Sequence, residues 1–273
     1  AIVTGGGTGI GRAIAHELVL LGCAVVIGGR KVERVEATAA AIRADVGNVL
    51  KRNVDDKILA LQCDIRSEES VAALVQKTLD TYKRIDFLVN NAGGQFRAPA
   101  AKINLKGWDA VVRNNLNGTF IVTKEVYHKW MKDHGGSIVS IILVAEKGHP
   151  MMVHSAAARA GIENMSKTLA VEWASSGIRL NCVAPGIILS SGADNYEGGT
   201  ELFHEFSRKY TGAKRVGSVE ETSAAVLHYL SPASAYTTGT TLHVDGAWRL
   251  VGPIFEIPDH NKTPVYGTIK SKL

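Results

Sequence analysis

The chain has 273 residues, 45% hydrophobic and 21% charged, an ordinary globular composition with apolar material for one large core, which excludes disorder as the main state. Its 31 Lys and Arg against 26 Asp and Glu give a net charge of +5, but the cations are scattered, with no basic helix and no interleaved aromatics, which argues against a nucleic-acid partner. No apolar run reaches the roughly 20 residues that span a bilayer, and Cys23, Cys63 and Cys182 stand far apart in apolar runs, as buried thiols rather than metal ligands.

Along the chain, short apolar runs alternate with longer segments of helical period. Residues 1–3 predict a strand, 10–21 a helix, 24–27 a strand and 31–46 a helix. The same alternation continues with strand 58–63, helix 68–82, strand 85–89, helix 106–132, strand 137–143 and helix 154–176. It closes with strand 178–183, helix 219–230 and strand 240–244, the last helix opened by the capping box Ser218-x-x-Glu221. Strict alternation predicts an α/β fold, a doubly wound, Rossmann-type parallel sheet of about seven strands with helices on both faces.

This reading makes residues 1–248 one domain and 249–273 a tail. Residues 187–217, rich in Gly, Ser and charge, break the rhythm with a single short helix near 200–209 and are expected to form a flap over the substrate. The tail is extended by Pro253, Pro258, Pro264 and Gly267 and ends in Ser271-Lys272-Leu273, the tripeptide that a peroxisomal import receptor reads. The expected location is therefore the peroxisomal matrix.

After the first strand comes Thr4-Gly5-Gly6-Gly7-Thr8-Gly9-Ile10-Gly11, a turn whose glycines let backbone approach a pyrophosphate at a helix N-terminus. The second strand ends in Gly28-Gly29-Arg30-Lys31. A carboxylate there would bind the ribose 2′-hydroxyl of NAD, whereas two cations suit the 2′-phosphate of NADP(H). Arg30 offers the planar fork for it.

The spacing Gly5-x-x-x-Gly9-x-Gly11, Asn90-Asn91-Ala92-Gly93, Asn115 in Asn-Leu-Asn-Gly, and Pro185-Gly186 together resemble the short-chain dehydrogenase/reductase family over about residues 1–248. The resemblance implies that Gly5, Gly7, Thr8, Gly9, Ile10 and Gly11 cradle the coenzyme phosphates and that Asn91, Ala92 and Gly93 line the adenosine ribose. It also implies that Asp64 and Ile65 flank the adenine, and that Pro185, Gly186, Ile188 and Ser190 hold the nicotinamide amide. Pairing through the helices at 106–132 and 154–176 into a tetramer is implied as well.

In most of that family a Ser, and a Tyr-x-x-x-Lys pair, supply the acid needed where hydride addition to C=O creates an alkoxide. Here Ser155 fills the Tyr position, Arg159 the Lys position, and Ile141-Ile142-Leu143 the stretch where the Ser belongs. Arg159 holds its proton near neutral pH, so it can bind ribose hydroxyls but cannot relay protons.

A reaction without that acid is the reduction of a C=C bond conjugated to a thioester, whose enolate needs only hydrogen-bond donors. Gly94-Gln95-Phe96, Val153-His154-Ser155 and Ala158-Arg159-Ala160-Gly161 resemble the peroxisomal trans-2-enoyl-CoA reductases, a subgroup that reduces its acyl-CoA substrate with NADPH. The 2,4-dienoyl-CoA reductases are similar but carry Lys in place of Arg159.

On this reading Arg159 binds the nicotinamide ribose, Asn115 orders water behind the site, and Ser155 and His154 are donors toward the thioester oxygen. Arg97, Lys214 and Arg215 border the cleft as candidates for the CoA phosphates, and Glu163 faces away from it. Two alternatives stand beside it: a 2,4-dienoyl-CoA reductase, and a catalytically silent NADP(H)-binding scaffold or sensor.

Overall fold

A computed structural model describes residues 1–190 and 199–252. Seven parallel strands form one sheet in the order β3-β2-β1-β4-β5-β6-β7. They are β1 (Ile2–Thr4), β2 (Val25–Gly29), β3 (Ile58–Gln62), β4 (Phe87–Asn90), β5 (Gly136–Ile141), β6 (Ile178–Pro185) and β7 (Thr241–Val244). The order reverses between β1 and β4, so the crevice beyond their carboxyl ends is where such a sheet binds ligands.

Strand alternation builds two cores, because successive side chains leave the sheet on opposite faces. Val3, Val25, Ile27, Val89, Val139 and Val183 point one way and meet Ile14, Leu18, Ile42 and Val226. Those four belong to α1 (Gly9–Leu20), α2 (Val32–Leu50) and α9 (Val219–Leu230). Ile2, Val26, Leu88, Ile138 and Leu180 point the other way, onto Leu74, Val122, Val126 and Leu169. These lie on α3 (Glu68–Tyr82), α5 (Gly118–Val126) and α7 (Val153–Glu172). Each fully buried aliphatic side chain is worth roughly 1.5–3 kcal/mol, so the paired cores supply the driving force for the sandwich.

The expected elements are present with shifted bounds. α2 runs on to Leu50, and β5 stops at Ile141 rather than 143, with Ile142 N–H making one last ladder bond to Val183 O. The helix expected over 106–132 is a rod of α4 (Leu105–Val112), α5 and α6 (Lys132–His134), interrupted by π-helical turns at Arg113–Asn117 and Tyr127–Met131. The helix near 200–209 is α8 (Gly199–Tyr210). The rest of the expected flap between 191 and 198, and the tail from 253 with its terminal tripeptide, lie outside the described residues.

Both partners of the capping box are in place: Glu221 N–H donates to Ser218 Oγ at 3.2 Å and Ser218 N–H to Glu221 Oε2 at 2.9 Å. Burial pushes the thiols of Cys63 and Cys182 up to about 11, leaving them protonated and inert near neutral pH. Among the described residues no helix is long and apolar enough to cross a membrane, and no three His, Cys, Asp or Glu side chains are grouped to hold a metal.

Candidate active site

The turn from β1 into α1 is built by close approach. Gly5 adopts a φ of +66°, and a Cβ on it would meet Ala92 Cα at 2.9 Å; a Cβ on Gly11 would lie 2.4 Å from Asn91 Nδ2. Thr4 ties the turn to the end of β4: its hydroxyl donates to Val89 O and accepts from Asn91 N–H at 3.0 Å and Ala92 N–H at 3.1 Å. Asn91 Nδ2 in turn donates to Thr4 O and Gly5 O, both at 3.1 Å. Asn91 thus shapes the glycine turn with its side chain, a part the sequence reading did not foresee.

The residues present fit a dinucleotide. α1 starts at Gly9 from Thr8, with no side-chain cap and no acidic residue in its first turn, so its leading N–H groups are left for an anion. Thr8 is exposed, and Gly7 and Ile10 belong to the same turn. Ser190 lies across it, its Cβ 3.4 Å from where a Gly9 Cβ would stand. Beyond β6, Pro185 and Gly186 lead into a strand-like stretch in which Ile188 pairs with Gly217, with Leu189 N–H on Gly217 O and Gly217 N–H on Ile187 O, each at 2.9 Å.

On the adenine side, Asp64 is held by a double hydrogen bond to Arg66, and that guanidinium keeps its carboxyl down at about 2. Ile65 packs under Gly118, where a Cβ would come within 2.6 Å of it. Arg30 and Lys31 are exposed at the entry to α2. So is Arg34, one turn on.

The second half of the site hangs on Gly93. A Cβ there would lie 2.5 Å from both Arg159 Nη2 and Asn115 Oδ1, so glycine is what allows α7 and the first π turn to meet the loop after β4. Asn115 is fully buried; its Nδ2 donates to Gly94 O and Val111 O at 2.8 Å and its Oδ1 accepts Gly94 N–H at 3.2 Å. Its amide therefore clamps the 93–95 loop. Arg159 Nη1 donates to Ile141 O, the last carbonyl of β5, while Nε has no partner among the described residues. Burial pushes the guanidinium down to about 10, which still leaves it cationic near neutral pH.

His154 and Ser155 are wholly buried at the head of α7. Ser155 N–H donates to His154 Nδ1 at 2.8 Å, so a neutral ring with Nδ1 accepting carries its proton on Nε2 as a donor. Neither that Nε2 nor Ser155 Oγ has a described partner, and Ser155 makes no capping bond for α7. Phe96 stands edge-on to the His154 ring, with centroids 4.5 Å apart. No hydroxyl occupies the stretch from Ile141 to Leu143, and Ser140 is turned inward, accepting from Asn90 Nδ2. Glu163 is bound to Thr241 and Lys167, away from these groups.

Of the three cations expected at the cleft border, Arg215 is engaged by Glu221 through two hydrogen bonds, and Lys214 occupies a turn at φ +58°. Arg97 is exposed on the loop joined to the 150s by Ala98 N–H donating to Met151 O. The sequence reading also missed an aromatic wall: Trp248 faces His149 at 5.8 Å and Phe206 at 6.2 Å between ring centroids. It packs beside Ile142, Val144 and Ala184 at the carboxyl ends of β5 and β6. Nothing local distinguishes Trp248 from a core tryptophan, since its neighbours are brought in by distant segments.

A parallel sheet with an uncapped glycine turn at its switch point is the architecture of a dinucleotide-binding protein. The chain belongs to the short-chain dehydrogenase/reductase family: the family model described as enoyl-(acyl carrier protein) reductase matches residues 5–248. It is 38% identical over 252 residues to a peroxisomal 2,4-dienoyl-CoA reductase [(3E)-enoyl-CoA-producing] of Danio rerio, covering 91% of this chain and 81% of that protein. A 3-oxoacyl-[acyl-carrier-protein] reductase of Synechocystis is 36% identical, with 90% and 95% covered. Among solved structures, a citronellol catabolism dehydrogenase of Pseudomonas aeruginosa superposes with a TM-score of 0.78 at 44% identity, with 90% of this chain and 93% of that one covered.

Proposed function

We propose that this protein reduces the 2,3 double bond of trans-2-enoyl-CoA to acyl-CoA with NADPH. The observation that carries the reading is the pairing of an uncapped glycine turn at the switch point with a reaction end whose Tyr, Lys and Ser positions are filled by other residues. Ser155 and Arg159 stand where a Tyr and a Lys would serve ketone reduction, and Ile141-Ile142-Leu143 fill the stretch where the Ser belongs. The relatives named for dienoyl-CoA and acyl-carrier-protein substrates support an acyl thioester.

In this mechanism Gly5, Gly7, Thr8, Gly9, Ile10 and Gly11 hold the coenzyme pyrophosphate, and Arg30 and Lys31 its 2′-phosphate. Asn91, Ala92, Gly93, Asp64 and Ile65 bound the adenosine, while Pro185, Gly186, Ile188 and Ser190 bound the nicotinamide. When bound, the reduced nicotinamide supplies a hydride to the β-carbon. Arg159 orients the nicotinamide ribose and lends a fixed positive field. His154 Nε2–H and the Ser155 hydroxyl, both without a partner among the described residues, donate to the thioester oxygen where the enolate charge gathers. Asn115 keeps the 93–95 loop and Arg159 in register and orders the water behind them, and water delivers the proton to the α-carbon.

The second reading, a 2,4-dienoyl-CoA reductase, is favoured by the Danio rerio relative. Consumption of NADPH on adding trans-2-enoyl-CoA and, separately, a 2,4-dienoyl-CoA of equal length decides between them: faster turnover of the monoene supports the first, faster turnover of the diene the second. Tight NADPH binding with neither turned over would leave the scaffold reading. Peroxisomal residence is supported by the Danio rerio relative's name, and is tested by imaging the chain with and without Ser271-Lys272-Leu273. Exposed Leu105, Phe120 and Val171 on α4, α5 and α7 support pairing of copies through those helices.

A further inference from the structure

The loop from 142 to 152 carries the chain from the end of β5 to His154 and Ser155 at the head of α7. Its own bonds are local: Gly148 N–H donates to Ala145 O at 2.9 Å and Met152 N–H to His149 O at 3.1 Å. Each closes a turn, and neither sets the loop against the sheet. Met151 stands at φ +69°, a conformation that a side chain keeps only where its surroundings over-determine it.

Those surroundings come from the edge of the sheet. Thr241 and His243 are two apart on β7 and so leave it on one face, with exposed Leu242 on the other. Thr241 Oγ1 donates to Glu163 Oε1 of α7 at 3.0 Å, and His243 Nε2 is paired with Glu146 Oε1 of the loop. Glu163 lies one turn after Arg159 on the same helix. β7 therefore grips α7 behind its arginine and the loop ahead of its histidine. Two further contacts join the loop to the same end of the chain: Lys147 Nζ donates to Val251 O, and His149 stands edge-on to Trp248. Of these ties to the loop, the His243 pair is the one that joins a largely buried side chain, 17% exposed, to a carboxylate, and a hydrogen bond to an ionised acceptor is the stronger kind.

We propose that His243 is a positioning residue of the reaction end: through Glu146 it fixes the loop that delivers His154 and Ser155 to the acyl thioester. The inference rests on the thioester-reduction reading above. His243 acts through Glu146 and the loop, not on the substrate.

The test is a double-mutant cycle on His243→Leu and Glu146→Ala, reading kcat and KM for trans-2-enoyl-CoA at saturating NADPH and, separately, the NADPH Kd. The expected kcat is about tenfold lower in each single variant, and about tenfold rather than a hundredfold lower in the double, since either change breaks the same link. KM and the NADPH Kd should stay within about twofold, and His243→Gln, which keeps an N–H donor, should bring kcat to within about threefold of wild type. Glu146 is exposed, so Glu146→Ala reads the link without disturbing the core. An unchanged kcat in Glu146→Ala, additive losses in the double variant, or an NADPH Kd that weakens as much as kcat overturns the proposal. A wild-type chain that turns over neither enoyl-CoA nor dienoyl-CoA defeats the function reading instead. The link is then decided by hydrogen exchange at Gly148 and Met152 N–H, expected to be at least about tenfold faster in Glu146→Ala, and unchanged exchange there overturns it.

Discussion

Gly93 and Arg159 approach so closely that a methyl group on Gly93 would lie 2.5 Å from Arg159 Nη2, with Asn115 Oδ1 equally near. The loop after β4, the bulged rod and α7 meet at this one residue. Gly93→Ala should therefore displace both the arginine and the buried amide of Asn115. The expected outcome is a coenzyme Kd at least about tenfold higher with an unchanged circular dichroism spectrum. Binding titration and thermal melting check it.

Arg159 should tolerate Lys better than Met. A lysine restores the charge but not the fork that reaches Ile141 O, so Arg159→Lys should keep measurable turnover while Arg159→Met loses on the order of a hundredfold in kcat/KM. Burial holds this guanidinium at about 10, below its ordinary value. The protonated form is the binding form, so coenzyme affinity should stay level from neutral pH to about 9 and fall as pH rises through 10. A pH series of Kd measures this directly. An affinity that stays level through pH 10 to 11 would show that the arginine charge is not used.

The capping box of α9 gives a stability prediction away from the site. Ser218→Ala removes the acceptor of Glu221 N–H and should cost about 1 kcal/mol, read as a lowered melting temperature. The Arg215 guanidinium holds the Glu221 carboxyl down at about 2. A carboxylate depressed in the folded state adds stability that is fully present above its unfolded value near 4.5 and is lost as pH falls toward 2. Glu221→Gln should accordingly flatten the acid limb of the stability curve between those limits. Because the pair is exposed, the effect is small.

How much of this the sequence discloses depends on how local each feature is. The alternation of apolar runs and helical periods identifies all seven strands and their helices, because both periods are properties of neighbouring residues. The glycine turn, Arg159 and His154 stand out for the same reason, since each belongs to a short contiguous motif. The π turn that swings Asn115 onto Gly94 is invisible to periodicity, as it depends on contacts 21 residues apart. The bonds of the Asn91 amide to Thr4 and Gly5 are not legible in the sequence, because these residues lie more than 80 positions away from it.

The central claim is that a site without a phenolic acid turns over an activated alkene and not a ketone. General acid catalysis contributes about a hundredfold to ten-thousandfold where an alkoxide must be protonated, and the family's Tyr and Ser positions are filled here by Ser155 and the stretch Ile141-Ile142-Leu143. The decisive measurement is kcat/KM with NADPH for trans-2-enoyl-CoA and for the 3-oxoacyl-CoA of equal chain length. The account expects the enoyl substrate to be preferred by at least about a hundredfold. Equal or faster reduction of the 3-oxo substrate would contradict it.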